Sequence, residues 1–164
     1  MPTDDLGHPD PLPRRPQRIV SLVPSLTEAV AVTVPERLVG ATDWCTHPCR
    51  PRRSARARHL GPRPGAIVDL APDLVVANQE ENRRLDVDRL RAAGVPVWVT
   101  VIESVNDALR SMGRLFVDVL DVGVPNWLGT AAAEWSRPAP RPDLRIVVPI
   151  WRSVDGRRRP DFHR

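Results

Sequence analysis

The feature that most constrains this chain is a repeated order. A short apolar run rich in β-branched residues gives way to turn residues, then to a helical stretch, then to another apolar run. Arg18-Ile-Val-Ser-Leu-Val23 comes first; Arg37-Leu-Val-Gly-Ala41, Leu74-Val-Val-Ala77 and Val97-Trp-Val-Thr-Val101 follow. Runs this short, bounded by Pro, Gly and Asp, read as buried strands. Strands alternating with helices predict an α/β fold with a mainly parallel sheet. In such sheets ligands bind outside the carboxyl ends of the strands. The segments expected there are Pro24-Ser25, Thr42-Asp43-Trp44, Asn78-Gln79-Glu80 and the residues after Val101.

The helices follow from spacing. Ser25 with Glu28 three residues on has capping-box spacing, which starts a helix at Ser25 with its hydroxyl as the cap; Pro35 ends it. Asn82 to Ala93 is a second helix, stopped by Gly94 and Pro96. The clearest one begins at Ser104. Val105, Ala108, Leu109, Met112, Leu115, Phe116, Val119 and Leu120 fall on one helical face, and Gly123 and Pro125 stop it. Trp127 to Trp135 is a weaker helical piece. Arg137-Pro-Ala-Pro-Arg-Pro142 is a linker, and Leu144-Arg-Ile-Val-Val-Pro-Ile150 is a strand beginning something new. Residues 1–16 hold five prolines and no apolar pattern, so a disordered tail is expected.

Composition removes several classes. No run of 18 apolar residues exists, so no membrane span is expected. Cys45 and Cys49 are too few for a disulfide scaffold. The first sixteen residues lack the apolar core of a secretory signal, so the chain as written reads as cytoplasmic. All 24 basic residues are Arg, against 20 acids, for a net charge of +4. An all-Arg composition looks like a GC-rich coding bias, so the number of arginines says little about partners. Six Arg and no acid fall in residues 49–66, and Arg157-Arg-Arg159 adds a second patch. Such patches suit phosphate backbones or anionic surfaces. No nucleic-acid motif frames them, however, and no aromatic residue interleaves Arg50 to Arg58, so no nucleic-acid partner is expected.

The chemistry-bearing residues read mostly as structural. Cys45-Thr-His-Pro-Cys49, with His59 beyond, has thiolate and imidazole groups that suit zinc, but the second ligand pair of a structural site is missing, so no metal site is expected. His47 is a candidate axial ligand for a corrin cobalt or haem iron. Ser25 lies between strand and helix without a Gly-x-Ser-x-Gly elbow. Glu80, Glu81 and Asp86 are acids at a helix start, where the macrodipole favours them. Gly40 and Gly61 form no phosphate loop. No nucleophile–base pair can be assembled, so no catalytic residue and no enzyme activity are expected. Trp98 reads as core, and Trp127 and Trp135 as staples.

Four segments together carry a resemblance. They are Arg18-Ile-Val-Ser-Leu-Val-Pro-Ser-Leu-Thr-Glu28, Leu38-Val-Gly-Ala-Thr-Asp-Trp-Cys-Thr-His-Pro48, Ala71-Pro-Asp-Leu-Val-Val-Ala-Asn-Gln-Glu-Glu-Asn82 and Leu90-Arg-Ala-Ala-Gly-Val-Pro-Val97. In this order and spacing they resemble one lobe of the ABC-importer substrate-binding proteins with a rigid helical backbone. Those proteins bind cobalamin, haem or iron–siderophores, and the cobalamin binders are the nearest in pattern. The resemblance covers residues 18–48 and 67–152. It implies two α/β lobes joined by a helix, with the ligand in the cleft between them.

Carried onto this chain, the resemblance implies an N-terminal lobe at 17–103 and a connector helix region at 104–136. Residues 137–164 would hold a linker, the first strand of a second lobe that breaks off, and a basic tail. Pro24 and Ser25 would line the cleft floor, Asp43 and Trp44 would present an aromatic face to the corrin, and Asn78 and Gln79 would stand at the next strand end. Trp151 and Arg152 would come from the far lobe. No cofactor is required; a corrinoid, iron–siderophore or haem would be cargo, and an ABC permease the partner. The family role is periplasmic. An acidic docking residue is implied on the lobe top, where this chain reads Gly65 or a neighbour.

Residues 49–66 and 153–164 match nothing in that pattern, and both read as out-of-frame text. A single lobe is expected to bind weakly or not at all. The alternatives are a small non-catalytic interaction module, which would dimerise to rebuild a two-walled cleft, and a basic binder of nucleic acid or anionic surfaces.

Overall fold

The computed structural model describes residues 2–9, 11–45 and 64–138, and the backbone of 58–60. Strand β1 (Ile19–Ser21) leads into α1 (Pro24–Thr33), a 3-10 turn (Pro35–Arg37) and β2 (Leu38–Thr42). Strand β3 (Arg58–Leu60), α2 (Pro64–Val68), β4 (Leu74–Asn78), α3 (Arg84–Ala92) and β5 (Val97–Thr100) follow. The chain then enters α4 (Val105–Arg114), a π-helical turn (Leu115–Val119) and α5 (Asn126–Trp135).

The strands form one sheet in the order β3-β2-β1-β4-β5, with every pairing parallel. Ile19 sits between Leu38 and Leu74, and Ser21 between Ala41 and Val76. Side chains alternate between the two faces, and both faces are apolar because helices cover both. Ile19, Leu38, Leu74, Val76 and Trp98 pack with α1, the π-turn and Leu128 of α5. Val20, Val39, Val75, Ala77, Val97 and Val99 pack with Ile67, Val87 and Leu90 on the other side.

Several expectations are corrected. The first helix begins at Pro24, not at Ser25. Val23 is its N-cap with no side-chain bond, and Pro24 occupies the first helical position. Proline suits that place because its missing N–H would be unpaired there and its φ is already helical. The Ser25 hydroxyl therefore caps nothing. The helix expected from Asn82 starts at Arg84, since Asn82 is tied to the preceding turn. It ends as Gly94 and Pro96 imply: Gly94 takes φ +78°, Gly94 N donates to Arg91 O at 2.9 Å, and Val95 N donates to Leu90 O at 3.0 Å. This is a Schellman closure with its apolar contact between Leu90 and Val95, both buried.

Residues 58–60 and 64–68, which carry no strand or helix signal, form β3 and α2. Pairing with β2 through Gly40, Ala41 and Thr42 supplies what composition lacks. Residues 2–9 and 11–16 are not a loose tail. Asp4 and Pro16 are buried, and Asp5 bonds to β5 and α4. The signal was missed because polar bonds, not apolar spacing, hold this segment.

The helix predicted from Ser104 is present, capped by the Ser104 hydroxyl accepting from Asp107 N at 3.1 Å. Its apolar face is covered unevenly. Leu115, Phe116, Val119 and Leu120 are buried, while Val105 at the other end is exposed. Trp127 donates to the Thr33 hydroxyl at 3.0 Å and meets the Phe116 ring edge-on at 5.8 Å. Trp135 donates to Asn106 Oδ1 at 3.1 Å. Among the described residues no helix is long and apolar enough to cross a membrane.

Candidate functional site

The connection from β1 leads to β2 on one side, while β4, on the other side of β1, leads on to β5. The reversal of direction between β1 and β4 makes a crevice at their carboxyl ends, the place where open α/β sheets take ligands. One wall is Leu22 to Ser25, the other Gln79 to Asn82, and the loop after β2 stands beside the first. Asn82 spans the crevice: its Oδ1 accepts from Asn78 N at 2.8 Å and its Nδ2 donates to Leu22 O at 3.4 Å.

The predicted residues divide by what their side chains do. Pro24 and Ser25 are exposed on the first turn of α1. Asp43 and Trp44 form the turn after β2, and Trp44 is 79% exposed, the most open large apolar residue among those described. Gln79 is exposed, its backbone N–H donating to Thr100 O at 3.0 Å.

Asn78 departs from expectation. It is buried, its Nδ2 reaches Thr100 O (3.3 Å) and Thr100 Oγ1 (3.2 Å), and its Oδ1 accepts from Glu80 N at 2.9 Å. A side chain so engaged positions the loop and has little left for a ligand. Trp151 and Arg152 lie outside the described residues, as do His47 and Cys49.

Trp44 is held from behind. The Cys45 thiol is buried, receives a hydrogen bond from Thr27 Oγ1 at 3.0 Å and lies 3.2 Å from Thr42 Oγ1. Cys45 N donates to Thr42 O at 2.9 Å. The loop after β2 is thus pinned to α1 while the indole faces outward. Thr27 and Asn82, and the fixing role of Thr42, are what sequence reading missed. Asn82 had a signal, since Asn four residues after a strand-end Asn suits a side-chain-closed turn.

Acids rim this face: Asp43, Glu80 and Glu81 are all exposed. Partial burial pushes the Glu81 carboxyl above the usual glutamate range. No group of three or more His, Cys, Asp or Glu is arranged to hold a metal among the described residues. Gly65, in α2, is exposed and has open space around its Cα. The arrangement offers an open aromatic surface beside a rigid floor, which suits contact with a flat apolar ligand and places no reactive pair.

Comparison with known proteins bears on this geometry. A vitamin B12-binding protein of Pectobacterium carotovorum is 28% identical over 102 residues, 61% of this chain and 37% of that protein. An uncharacterized ABC transporter substrate-binding lipoprotein of Bacillus subtilis is 28% identical over 124 residues, 73% of this chain and 38% of that protein. Among solved structures, a periplasmic heme-binding protein of Pseudomonas aeruginosa aligns with a TM-score of 0.58 at 23% identity, over 73% of this chain and 43% of that one. The periplasmic vitamin B12-binding protein of Vibrio cholerae aligns with a TM-score of 0.56 at 22% identity, over 74% of this chain and 47% of that one. No protein-family model matches. The chain spans less than two-fifths of the length of these curated relatives and shares the fold of just under half of each solved structure.

Proposed function

We propose that the chain is a substrate-binding protein of the ABC-importer kind and that its strand-end face is one wall of a cleft for a flat metal macrocycle, cobalamin first and haem second. The role is capture and delivery, with no bond made or broken. The observation that supports it most is Trp44, whose indole stands open at the carboxyl end of β2 while Cys45 and Thr27 fix its loop. An indole already open to water gains apolar contact area when a macrocycle lies on it, and its loop is ordered beforehand.

In this reading residues 17–103 are the binding lobe and 104–136 the connector. Pro24, Ser25, Asp43 and Gln79 frame the ligand edge, and Asn78 holds their floor. An ABC permease receives the loaded protein on the outer side of the cytoplasmic membrane. The periplasmic and lipoprotein relatives support that location.

One wall buries one face of the ligand, so binding by this chain alone is weak. Titrating cyanocobalamin, and separately hemin, against tryptophan fluorescence tests the reading. Saturable quenching with a Kd of roughly 10–100 µM is expected, weakened about tenfold by Trp44→Ala. No saturable binding of either macrocycle, or binding indifferent to Trp44→Ala, contradicts it.

A further inference from the structure

Among the described residues, strand β5 is the last strand at one side of the sheet. An edge strand presents unpaired N–H and C=O groups, a template for pairing with another chain. In β5 the carbonyls of Pro96 and Thr100 face β4, accepting from Val75 N and Gln79 N. Alternation therefore turns residues 97, 99 and 101 outward.

Three of the groups turned outward find partners elsewhere in the chain. Val97 O accepts from Arg91 Nη2 at 3.0 Å, Val99 O from Asp5 N at 3.1 Å, and Val101 N donates to Asp5 Oδ2 at 3.1 Å.

The segment that supplies these partners is built for the position. Asp4 closes a tight turn, its Oδ1 accepting from Leu6 N (3.0 Å) and His8 N (2.8 Å), with Gly7 at φ +79°. The Asp4 side chain is fully buried, and its Oδ2 accepts from the same Arg91 nitrogen at 2.7 Å. Asp5 also accepts from Ser111 Oγ and Arg114 Nη1, and Arg114 Nη2 donates to Thr3 O, which ties the segment to α4.

We propose that residues 3–8 are an edge guard, an intramolecular strap that keeps β5 from pairing with β5 of a second copy of this chain. The competing contact is isologous: two identical edges, related by a two-fold axis, offer each other the groups the strap now occupies. The proposal does not depend on the ligand.

The test compares the full chain with Asp4→Ala/Asp5→Ala by size exclusion with light scattering over a wide concentration range, together with amide hydrogen exchange. The double variant is expected to double its apparent mass as concentration rises, where the parent does not. Its Val101 amide is expected to exchange roughly tenfold faster at low concentration, having lost a carboxylate acceptor. Adding Val101→Pro, which removes the edge donor, is expected to restore the parent mass.

A folded double variant that keeps the parent mass at every concentration overturns the proposal. So does a dimer that Val101→Pro leaves intact. If circular dichroism shows the double variant unfolded, Arg91→Gln, which releases Val97 O, is read by the same criteria: concentration-dependent dimerisation supports the guard, and an unchanged mass overturns it.

Discussion

Two residues of the strand-end face, Trp44 and Asn78, look alike on paper, since each follows or ends an apolar run. Their surroundings separate them. Trp44 is 79% exposed, so Trp44→Ala removes little packing; stability should change by less than about 0.5 kcal/mol in urea denaturation while macrocycle binding weakens. Asn78 is buried and bonded to Thr100 and Glu80, so Asn78→Ala leaves polar groups without partners and should cost about 1–3 kcal/mol. If the two variants show the reverse order of stability loss, the division between contact and positioning residues is wrong. Trp98 gives a third case. It is wholly buried under the Arg114 guanidinium at 5.1 Å, and its Nε1 has no acceptor among the described residues. Trp98→Ala should cost about 3–5 kcal/mol, the range for emptying a large aromatic site, while Trp98→Phe, which removes the orphan donor, costs far less.

Among the elements, the start of α4 and the turn after the π-helical segment each hold a carboxyl whose pKa is lowered. Hydrogen bonding from the Ser104 hydroxyl, helped by Arg110, holds the Asp107 carboxyl below the usual aspartate range. The Arg15 guanidinium, bonded at 2.6 Å, does the same for Asp121. A carboxyl whose pKa is lower folded than unfolded adds stability above its ordinary pKa. That contribution is lost as pH falls through the folded value. Glu81 has the opposite sign, since its raised pKa favours the protonated folded state, and its contribution fades as pH rises through the folded value.

The melting temperature should therefore drop as pH falls from about 5 toward 2, and Ser104→Ala should both cost about 1 kcal/mol near neutrality and flatten that drop. An acid limb unchanged by Ser104→Ala contradicts the assignment. Ser104 was legible because a cap followed by a long apolar stripe is a strong local signal. Ser25 was misread because Pro24 competes for the same helix start and fits its first position better. The extra residue per turn at Leu115–Val119 left no mark, since Leu115, Phe116, Val119 and Leu120 satisfy an α-helical stripe equally well.

For the molecule as a whole, four of the five strands among the described residues were readable because Ile19, Val20, Leu38, Val39, Leu74, Val75, Val97 and Trp98 sit in short apolar runs that only a sheet covered on both faces can bury. Strand β3 was not, because Arg58-His-Leu60 carries no apolar run, and its backbone pairing with Gly40–Thr42 is not written in its own residues. The strap of residues 3–8 escaped for a related reason: Asp4, Asp5, Arg91 and Arg114 join positions far apart in sequence through polar bonds that have no period. The candidate site was readable as a set of strand ends, while the fixing roles of Thr27, Thr42 and Asn82 appear only once β1, β2 and β4 lie side by side.

The central claim is that the face built from these three strand ends receives the macrocycle. Mapping amide and indole NMR shifts as cyanocobalamin is added to the full chain tests it most directly. The Trp44 indole and residues 22–28, 42–45 and 78–82 are expected to shift together along one binding curve while α4 and α5 stay in place. Shifts centred on α4, α5 or the strap, with the Trp44 indole unmoved, would contradict it.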